Sequence, residues 1–171
     1  MVDDLGSLPP GIELRPATSQ DRDLLLALYG STRVDELSVV SWGDAEKAAF
    51  VTMQFEAQDA SYRQSYPDGR FLVVLVAGEP VGRLYFARLA SELRLVDLTL
   101  LPAQRGRGTG SALLAWLLAQ ADRDDLPVTL HVEPWNPARQ LYERIGFRSI
   151  EQRGIYEFMR REPRRQLKTA S

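Results

Sequence analysis

Residues 93–110 read Leu-Arg-Leu-Val-Asp-Leu-Thr-Leu-Leu-Pro-Ala-Gln-Arg-Gly-Arg-Gly-Thr-Gly, an apolar stretch that runs into three glycines at alternate positions. The pattern predicts a strand over 93–101 and a helix over 108–122. Glycines between a strand and a helix let the backbone approach a ligand closely. The unpaired N–H groups and the dipole of the helix start favour an anion there. The stretch therefore predicts a pyrophosphate-binding turn, with a purely structural loop as the alternative.

Two well-known phosphate-binding motifs do not fit this turn. A dinucleotide-binding fingerprint needs Gly-x-Gly-x-x-Gly inside a parallel βαβ unit. The spacing here is Gly-x-Gly-x-Gly, after three consecutive predicted strands. A P-loop needs Gly-Lys-Ser/Thr, which is absent from this turn.

The rest of the chain predicts an α/β domain in the order βααβββαβαββ. Thr18 and Asp21 resemble a capping box, and Asn136-Pro137 carries the capping side chain and the proline of a helix start. We expect helices from Thr18 to about Gly30, over 44–59 with a shorter piece before it, over 108–122, and from Asn136 to Gly146. We expect strands over 12–16, 71–77, 81–87, 93–101, 127–132, 147–153 and 155–161, with a turn at 78–80.

Composition excludes several classes of protein. The 171 residues are 44% apolar and 26% charged, with a formal net charge of −2, which fits one globular domain and no dedicated nucleic-acid partner. With no cysteine and one histidine, we expect no disulfide, no cysteine nucleophile and no metal site. The acidic, Pro/Gly-rich residues 1–10 do not resemble a signal peptide, and no stretch is apolar enough to span a membrane. We therefore expect a cytoplasmic protein without a membrane partner.

Two motifs together resemble one family. Arg105-x-x-Gly108-x-Gly110, which follows a strand ending in Leu-Leu-Pro, resembles the acyl-coenzyme A motif of the GNAT superfamily of acetyl-CoA-dependent N-acetyltransferases. Asn-Pro-Ala-Arg-Gln-Leu-Tyr-Glu-Arg-Ile-Gly-Phe at 136–147 resembles its second signature. The element order is also similar to the family fold from residue 12 to residue 161.

The resemblance implies a fold and a domain organisation. The fold is α/β (α+β), with a mixed, mostly antiparallel sheet of six to seven strands, a splayed parallel pair and about four helices. The splayed pair would be 93–101 and 127–132. We expect a single N-acetyltransferase domain over 1–171, with its core at 12–161 and flexible tails at 1–10 and 162–171.

The resemblance also implies where acetyl-CoA binds as co-substrate. The pantetheine arm would enter the splay and pair with backbone groups of β-strand residues, and the glycine turn would hold the pyrophosphate. The implied residues are Leu98, Thr99, Leu100, Arg105, Gly106, Arg107, Gly108, Thr109, Gly110 and Asn136. Many members have an asparagine seven residues before the tyrosine, whereas Asn136 precedes Tyr142 by six and Trp135 occupies the usual slot. A plain helix cap is the alternative role for Asn136.

Three residues are candidates for the chemistry. Tyr142 is the candidate general acid, because a phenol in this place can protonate the departing thiolate; a core tyrosine is the alternative. Asp97 lies in mid-strand, where alternation places it on a face with Leu93, Leu95 and Leu101. A carboxylate there either has a buried partner or faces the cleft, and it is the first candidate base. Glu133 is the runner-up residue, and a water chain without a single base is the alternative to both.

The interpretation that follows is acetyl transfer to a primary amine in a ternary complex. The alternatives are a non-catalytic acyl-CoA sensor or interaction domain and a nucleotide-binding regulatory domain. Residues 1–60 carry 11 acidic and 4 basic side chains, so we expect a cationic small-molecule or peptide acceptor. Asp35, Glu36 and Glu56 are the proposed contributors. We expect His131 to be a sheet residue, and similar proteins are often homodimers.

Overall fold

A computed structural model of the chain describes residues 7–164. Its five α-helices are α1 (Arg22–Ser31), α2 (Val34–Ser38), α3 (Asp44–Ser65), α4 (Thr109–Arg123) and α5 (Ala138–Arg144). Its seven strands are β1 (Ile12–Pro16), β2 (Arg70–Val76), β3 (Glu79–Arg88), β4 (Leu93–Leu100), β5 (Val128–Val132), β6 (Arg148–Arg153) and β7 (Tyr156–Arg161). No helix within residues 7–164 is long and apolar enough to cross a membrane.

The seven strands form one mixed sheet in the order β1-β2-β3-β4-β5-β7-β6. Only β4 and β5 pair in parallel, and the other neighbours are antiparallel. This confirms the predicted α/β class, the element order and the parallel pair. The fifth helix is the short α2, which corresponds to the piece expected before residue 44.

Helices cover both faces of the sheet. On one face α4 supplies most of the helical contribution to the larger core, where Leu113, Leu117 and Ala121 are fully buried. Side chains of α5, including Tyr142, pack against the same core. On the other face α1 and α3 form a smaller core around Leu28, Phe55 and Tyr85. We call these the α4 face and the α3 face.

Three of the boundaries that differ from the sequence-based expectation have a clear local reason. Helix α3 continues to Ser65, because Arg63 forms an i,i+4 ion pair with Asp59 and Tyr62 packs against Tyr85. The β2–β3 turn lies at Ala77 and Gly78, both with positive φ, so β3 already begins at Glu79. A 3₁₀ turn precedes α1, in which the Asp21 carboxylate accepts the Thr18 N–H at 2.8 Å.

The last strand is tied to α4 by a buried ion pair. The Arg161 guanidinium, 4% exposed, donates to both carboxylate oxygens of Asp122 at 2.8 and 3.0 Å. Asp122 also accepts the backbone N–H of Arg164 at 2.8 Å. Of the tails expected at 1–10 and 162–171, residues 1–6 and 165–171 lie outside the described part of the chain.

Candidate functional site

The parallel strands separate halfway along their length. Cα partners join Leu93 to Val128, Arg94 to Thr129 and Leu95 to Leu130. The pairing with β5 stops there, although β4 runs on to Leu100. Strand β3 stays paired with β4 as far as Leu100. We call Leu93–Leu95 the paired half of β4 and Val96–Leu100 the splayed half. The splayed half therefore presents an open backbone edge towards β5, which an extended ligand can join as a strand does.

Gly82 on β3 allows the close approach that holds the splayed half in place. A Cβ added at Gly82 would lie 2.5 Å from Leu100 Cδ2 and 2.7 Å from the Thr99 carbonyl oxygen. Both distances are shorter than van der Waals contact. Only glycine therefore lets β3 support β4 at this point without displacing the open edge.

A β-bulge divides the two halves and corrects one expectation. Tyr85 faces Asp97 while the next β3 residue, Phe86, faces Leu95, so Val96 is an extra residue. One extra residue reverses the alternation of a strand. Leu93 and Leu95 lie in the α4-face core, and Asp97 lies on the α3 face with Arg83 and Tyr85. The expectation that Asp97 shares a face with Leu93 and Leu95 is therefore wrong. A shift in the leucine spacing (93, 95, then 98, 100) was the available signal.

Asp97 is buried with partners. The Arg83 guanidinium, 2% exposed, donates through Nε to Oδ1 at 3.1 Å and through Nη2 to Oδ2 at 2.9 Å. The Thr99 hydroxyl donates to Oδ1 at 2.7 Å, and the Tyr62 hydroxyl donates to Oδ2 at 3.2 Å. A carboxylate offers about four lone-pair sites, so four donors satisfy it. Of the two placements considered from the sequence, the geometry favours the one with a buried partner.

Tyr142 lies on the α4 face of the sheet, and the charge of Asp97 acts on it there. It lies on α5, packs against the larger core, and its ring meets Phe147 edge-on with centroids 5.7 Å apart. Burial, with the negative charge of Asp97 in addition, raises the pKa of Tyr142 to about 12. Its hydroxyl makes no hydrogen bond to any other residue within 7–164. The phenol is thus held neutral, with its proton available to a ligand.

The structure adds residues that the sequence did not single out. Burial and the charge of Asp97 raise the pKa of Tyr62 on α3, and Tyr156 at the start of β7 also acts on it electrostatically. Arg83 anchors the group from β3, and its second contact through Nη2 is Gln58 at 2.9 Å. An arginine inside the apolar run 81–87 was a signal, because a buried cation requires an acidic partner. Tyr62 and Tyr156 carry no comparable local signal.

The glycine turn has the backbone expected of a close-approach site. Gly106 and Gly108 have φ of +71° and +85°, and an added Cβ at either would meet nothing within 4 Å. Gly108 is the N-cap of the 15-residue α4, with no side-chain hydrogen bond capping that end. The first N–H groups of a helix have no intrahelical partner. An open, donor-rich surface therefore lies directly after the splayed half.

The two arginines of the turn play different parts. Arg105 Nε donates to the Leu100 carbonyl at 2.9 Å and its Nη2 donates to Ser31 Oγ at 2.8 Å. Arg105 thus fastens the turn to β4 and α1. Arg107 is exposed and has no ion-pair or hydrogen-bond partner among residues 7–164, so its charge is available beside the turn.

The residues after β5 are more exposed. The Asn136 side-chain oxygen accepts the Ala138 N–H at 2.9 Å, which is the helix-cap role; its side-chain NH₂ is not used in that bond. Trp135 is 69% exposed. The Glu133 carbonyl accepts the Asn136 N–H at 2.9 Å, and the Glu133 carboxylate has no ion-pair partner in the described part of the chain.

His131 lies in β5, as expected of a sheet residue. Its ring lies 5.0 Å from that of Phe158. Burial and the positive charges of Arg94 and Arg153 lower its pKa. Among the residues described, no three His, Cys, Asp or Glu side chains are grouped so that they could hold a metal ion.

A groove of about 300 Å³ runs between α4 and α5 on the α4 face. Its lining is mainly apolar, with Leu114, Leu118, Leu141 and Ile145, and it includes Ser111 and Arg144. It contains none of the predicted catalytic residues. Its lining residue Ser111 directly follows Gly110, so the groove adjoins the glycine turn.

A mixed sheet with a splayed parallel pair, a bulged strand and a glycine turn at a helix start defines an acyl-coenzyme A-type transferase fold. A model of the acetyltransferase (GNAT) family matches residues 33–147, more than half of the chain. The chain therefore belongs to the GNAT acetyltransferase family.

Solved structures of low sequence identity share the fold. The PaiA N-acetyltransferase of Thermoplasma acidophilum, in complex with coenzyme A, is 18% identical with a TM-score of 0.66, covering 88% of this chain and 98% of that one. An acetyltransferase of Thermus thermophilus is 22% identical with a TM-score of 0.64, covering 91% and 99%. One from Streptococcus agalactiae is 16% identical with a TM-score of 0.63, covering 90% and 99%.

Proposed function

We propose that this protein is an N-acetyltransferase that moves the acetyl group of acetyl-CoA to a primary amine by direct attack in a ternary complex. The observation that carries the proposal is the open edge of the splayed half of β4, which begins beside Asp97 and leads into the glycine turn. Membership of the family supports the acetyl transfer. The coenzyme A complex of a fold relative supports the choice of co-substrate.

Three parts of the chain fit coenzyme A. Backbone groups of Leu98, Thr99 and Leu100 on the open edge would pair with the pantetheine amides. The turn from Arg105 to Gly110 would hold the pyrophosphate on backbone N–H groups, with Arg107 adding positive charge. The side-chain NH₂ of Asn136 is free of the cap bond and would contact the pantetheine. Acetyl-CoA supplies the activated thioester.

Tyr142 would donate its proton, or a hydrogen bond, to the departing sulfur. Its pKa of about 12 keeps the proton on the phenol at neutral pH, and a thiolate leaving into a partly dry cleft needs such a donor. We propose that the proton of the amine leaves through water. The Glu133 carboxylate is unpaired in the described chain, whereas four donors surround Asp97, so Glu133 is the better placed to receive that proton. Asp97 then acts by its charge and its hydrogen bonds.

We propose a cationic acceptor, small molecule or peptide, on the charge balance of residues 1–60. Of the three carboxylates expected to contribute, Glu36 pairs with Arg33 and Glu56 pairs with Arg22. Both pairs are exposed, where such contacts are weak. Asp35 has no ion pair among residues 7–164. The proposed attraction of a cationic acceptor therefore depends on the net negative charge of residues 1–60 rather than on one carboxylate.

Three expectations stay predictions from the sequence. They are a single N-acetyltransferase domain over 1–171, a cytoplasmic location and a homodimer. Size-exclusion chromatography with light scattering would check the last of these.

The decisive experiment combines binding with turnover. Calorimetric titration with acetyl-CoA, coenzyme A and ATP would be followed by a panel of spermidine, lysine, alaninamide and a peptide with a free N-terminus, with thiol release recorded. We expect acetyl-CoA to bind, ATP to bind much less tightly, and a cationic amine to be acetylated fastest. Binding without turnover of any amine would favour the sensor alternative. Equal binding of ATP would favour the nucleotide-binding alternative.

A matched pair of charge reversals tests the turn. Arg107→Glu places a negative charge beside the proposed pyrophosphate and should weaken acetyl-CoA binding about tenfold, equivalent to about 1.4 kcal/mol. The loss should shrink in high salt. Arg70→Glu makes the same change at an exposed residue at the start of β2 and should leave the affinity unchanged. Equal effects of the two variants would move the phosphate away from this turn.

A further inference from the structure

Asp97 affects two tyrosines that lie on opposite faces of the sheet, one through a hydrogen bond and one through its charge. The charge of Asp97 acts on Tyr142, which packs on the α4 face. On the α3 face the Tyr62 hydroxyl donates to Asp97 Oδ2 at 3.2 Å. The bulge at Val96 makes this possible, because it turns Asp97 towards α3 at the point where β4 and β5 separate.

The Tyr62 hydroxyl can still accept a hydrogen bond but has no proton left to donate. A phenol has one donor and acceptor lone pairs. Its donor is given to Asp97, and no donor among residues 7–164 reaches its oxygen. The Tyr62 oxygen can therefore only accept a further hydrogen bond. Donation to an ionised carboxylate polarises the phenol and makes that oxygen a stronger acceptor.

The geometry points to Tyr62 as the residue that orients the acceptor amine. In the tetrahedral intermediate of the proposed reaction, the attacking nitrogen and the departing sulfur are bonded to the same carbon. With Tyr142 beside the sulfur on one face, Tyr62 is the phenol on the other. We infer that the Tyr62 oxygen accepts an N–H of the neutral amine and so directs the nitrogen lone pair at the thioester carbon. This inference rests on the proposed function.

Arg83 makes the arrangement rigid. Its guanidinium holds Asp97 through two atoms and Gln58, also on α3, through a third contact. The Tyr62 ring is held edge-on against Tyr85, with centroids 6.3 Å apart. The hydroxyl is thus positioned from β3 and α3 before any substrate arrives, which is what an orienting group requires.

Two coenzyme A thioethers test the inference without knowledge of the natural acceptor. One carries CH₂–CO–NH–CH₃ on sulfur, and the other carries the ester CH₂–CO–O–CH₃. Only the amide offers an N–H where the amine would lie. We expect the wild-type protein to bind the amide about tenfold more tightly than the ester, as one additional hydrogen bond allows. In Tyr62→Phe the two affinities should become equal, with acetyl-CoA affinity unchanged.

Tyr66→Phe is the matched control. Tyr66 follows Tyr62 by four residues, and its hydroxyl contacts Arg94 at 3.2 Å. This variant should keep the wild-type preference for the amide. With the panel amine acetylated fastest, Tyr62→Phe should lower kcat/KM about tenfold, and Tyr66→Phe should not.

Each outcome is informative. A wild-type protein that binds amide and ester equally overturns the inference, whatever the variant does. A preference that survives in Tyr62→Phe also overturns it and assigns Tyr62 to packing. Failure of both thioethers and of acetyl-CoA to bind overturns the proposed function itself. If the wild-type protein transfers acetyl groups but Tyr62→Phe keeps the preference for the amide, only the role of Tyr62 is overturned.

Discussion

The two halves of β4 have the same kind of sequence and opposite surroundings. In the paired half, Leu93 and Leu95 are each 4% exposed and have β-strands on both sides. In the splayed half, Leu98 and Thr99 are only partly buried and have β3 on one side alone. One half completes the sheet, and the other leaves a backbone edge for a ligand.

The difference teaches how one extra residue creates a site within a continuous strand. The bulge at Val96 interrupts the alternation, so a carboxylate replaces a leucine on the α3 face. There it meets Arg83 and Tyr62, both on that face. The paired half lies between two strands, and we propose that the splayed half binds acetyl-CoA. The following predictions test that division from the largest expected effect to the smallest.

The largest effect should come from Tyr142, which packs against the same core as Leu98 of the splayed half. Tyr142→Phe keeps the ring against Phe147 and removes only the proton donor. Loss of a general acid typically lowers kcat about 10²–10⁴-fold, with acetyl-CoA affinity nearly unchanged. Stopped-flow or continuous thiol detection would measure it.

The control for Tyr142 lies at the paired half. Tyr66→Phe removes a hydroxyl that accepts a hydrogen bond from Arg94, a paired-half residue. We expect kcat to stay within about twofold, since this hydrogen bond lies outside the proposed site. A Tyr142→Phe variant that turns over like the wild type would return Tyr142 to a packing role.

Truncating one leucine in each half should separate stability from binding. Leu95→Ala opens a cavity in the larger core and should lower the free energy of unfolding by about 2–5 kcal/mol, with little change in acetyl-CoA affinity. Leu98→Ala, at a partly buried position, should cost less stability and weaken acetyl-CoA binding more. Urea unfolding and calorimetry would give the two quantities. The opposite ranking would contradict the division of β4 into two halves.

Gly82→Ala should disturb the splayed half from the β3 side, opposite the open edge. The added Cβ would lie 2.7 Å from the Thr99 carbonyl oxygen, a backbone atom, so the splayed half of β4 must shift, at a cost of about 1–3 kcal/mol. We expect weaker acetyl-CoA binding and a lower melting temperature. Gly30→Ala is the control, since its added Cβ would meet only Val51 Cγ1, on α3 and not on β4, at 3.4 Å. Unchanged binding in Gly82→Ala would show that the open edge is not the ligand site.

The smallest expected effect is on the pH dependence of kcat, which we expect not to change near pH 10. Because burial raises the pKa of Tyr142 to about 12, its proton stays in place through the pH at which an ordinary tyrosine, with a pKa of about 10, would lose it. The kcat profile, corrected for thioester hydrolysis, should therefore stay flat across about pH 10. A fall in kcat with an apparent pKa near that ordinary value, absent in Tyr142→Phe, would show that Tyr142 is not buried as described.

Much of the fold was predictable because local patterns agreed with the tertiary arrangement. The alternation of β1, the capping box at Thr18 and Asp21, and the proline at 137 all lie where the structure has strand or helix boundaries. The positive φ of Gly106 and Gly108 agrees with a turn predicted from glycine spacing. These features depend on neighbours within a few residues, so the sequence contains them.

The candidate site was predictable only in part. Strand position and the resemblance predict Asp97 and Tyr142, and the resemblance places the backbone of Arg105 at the phosphate. The structure adds that the Arg105 side chain fastens the turn to Leu100 and Ser31. Tyr62 was not named, because α3 was expected to end at residue 59. The contact between Tyr62 and Asp97 joins residues 35 positions apart, and no local pattern records such a distance.

By itself the sequence determined the class of fold, the order of its elements and the glycine turn, because helix and strand periodicity and glycine conformation are properties of short segments. The tertiary structure alone decided which face Asp97 occupies and which groups surround it. A single bulged residue reverses a strand's alternation, and a buried carboxylate takes whatever donors the packed helices and strands bring to it. The chemistry of the site therefore depends on the meeting of β3, β4, α3 and α5, which only the folded chain produces.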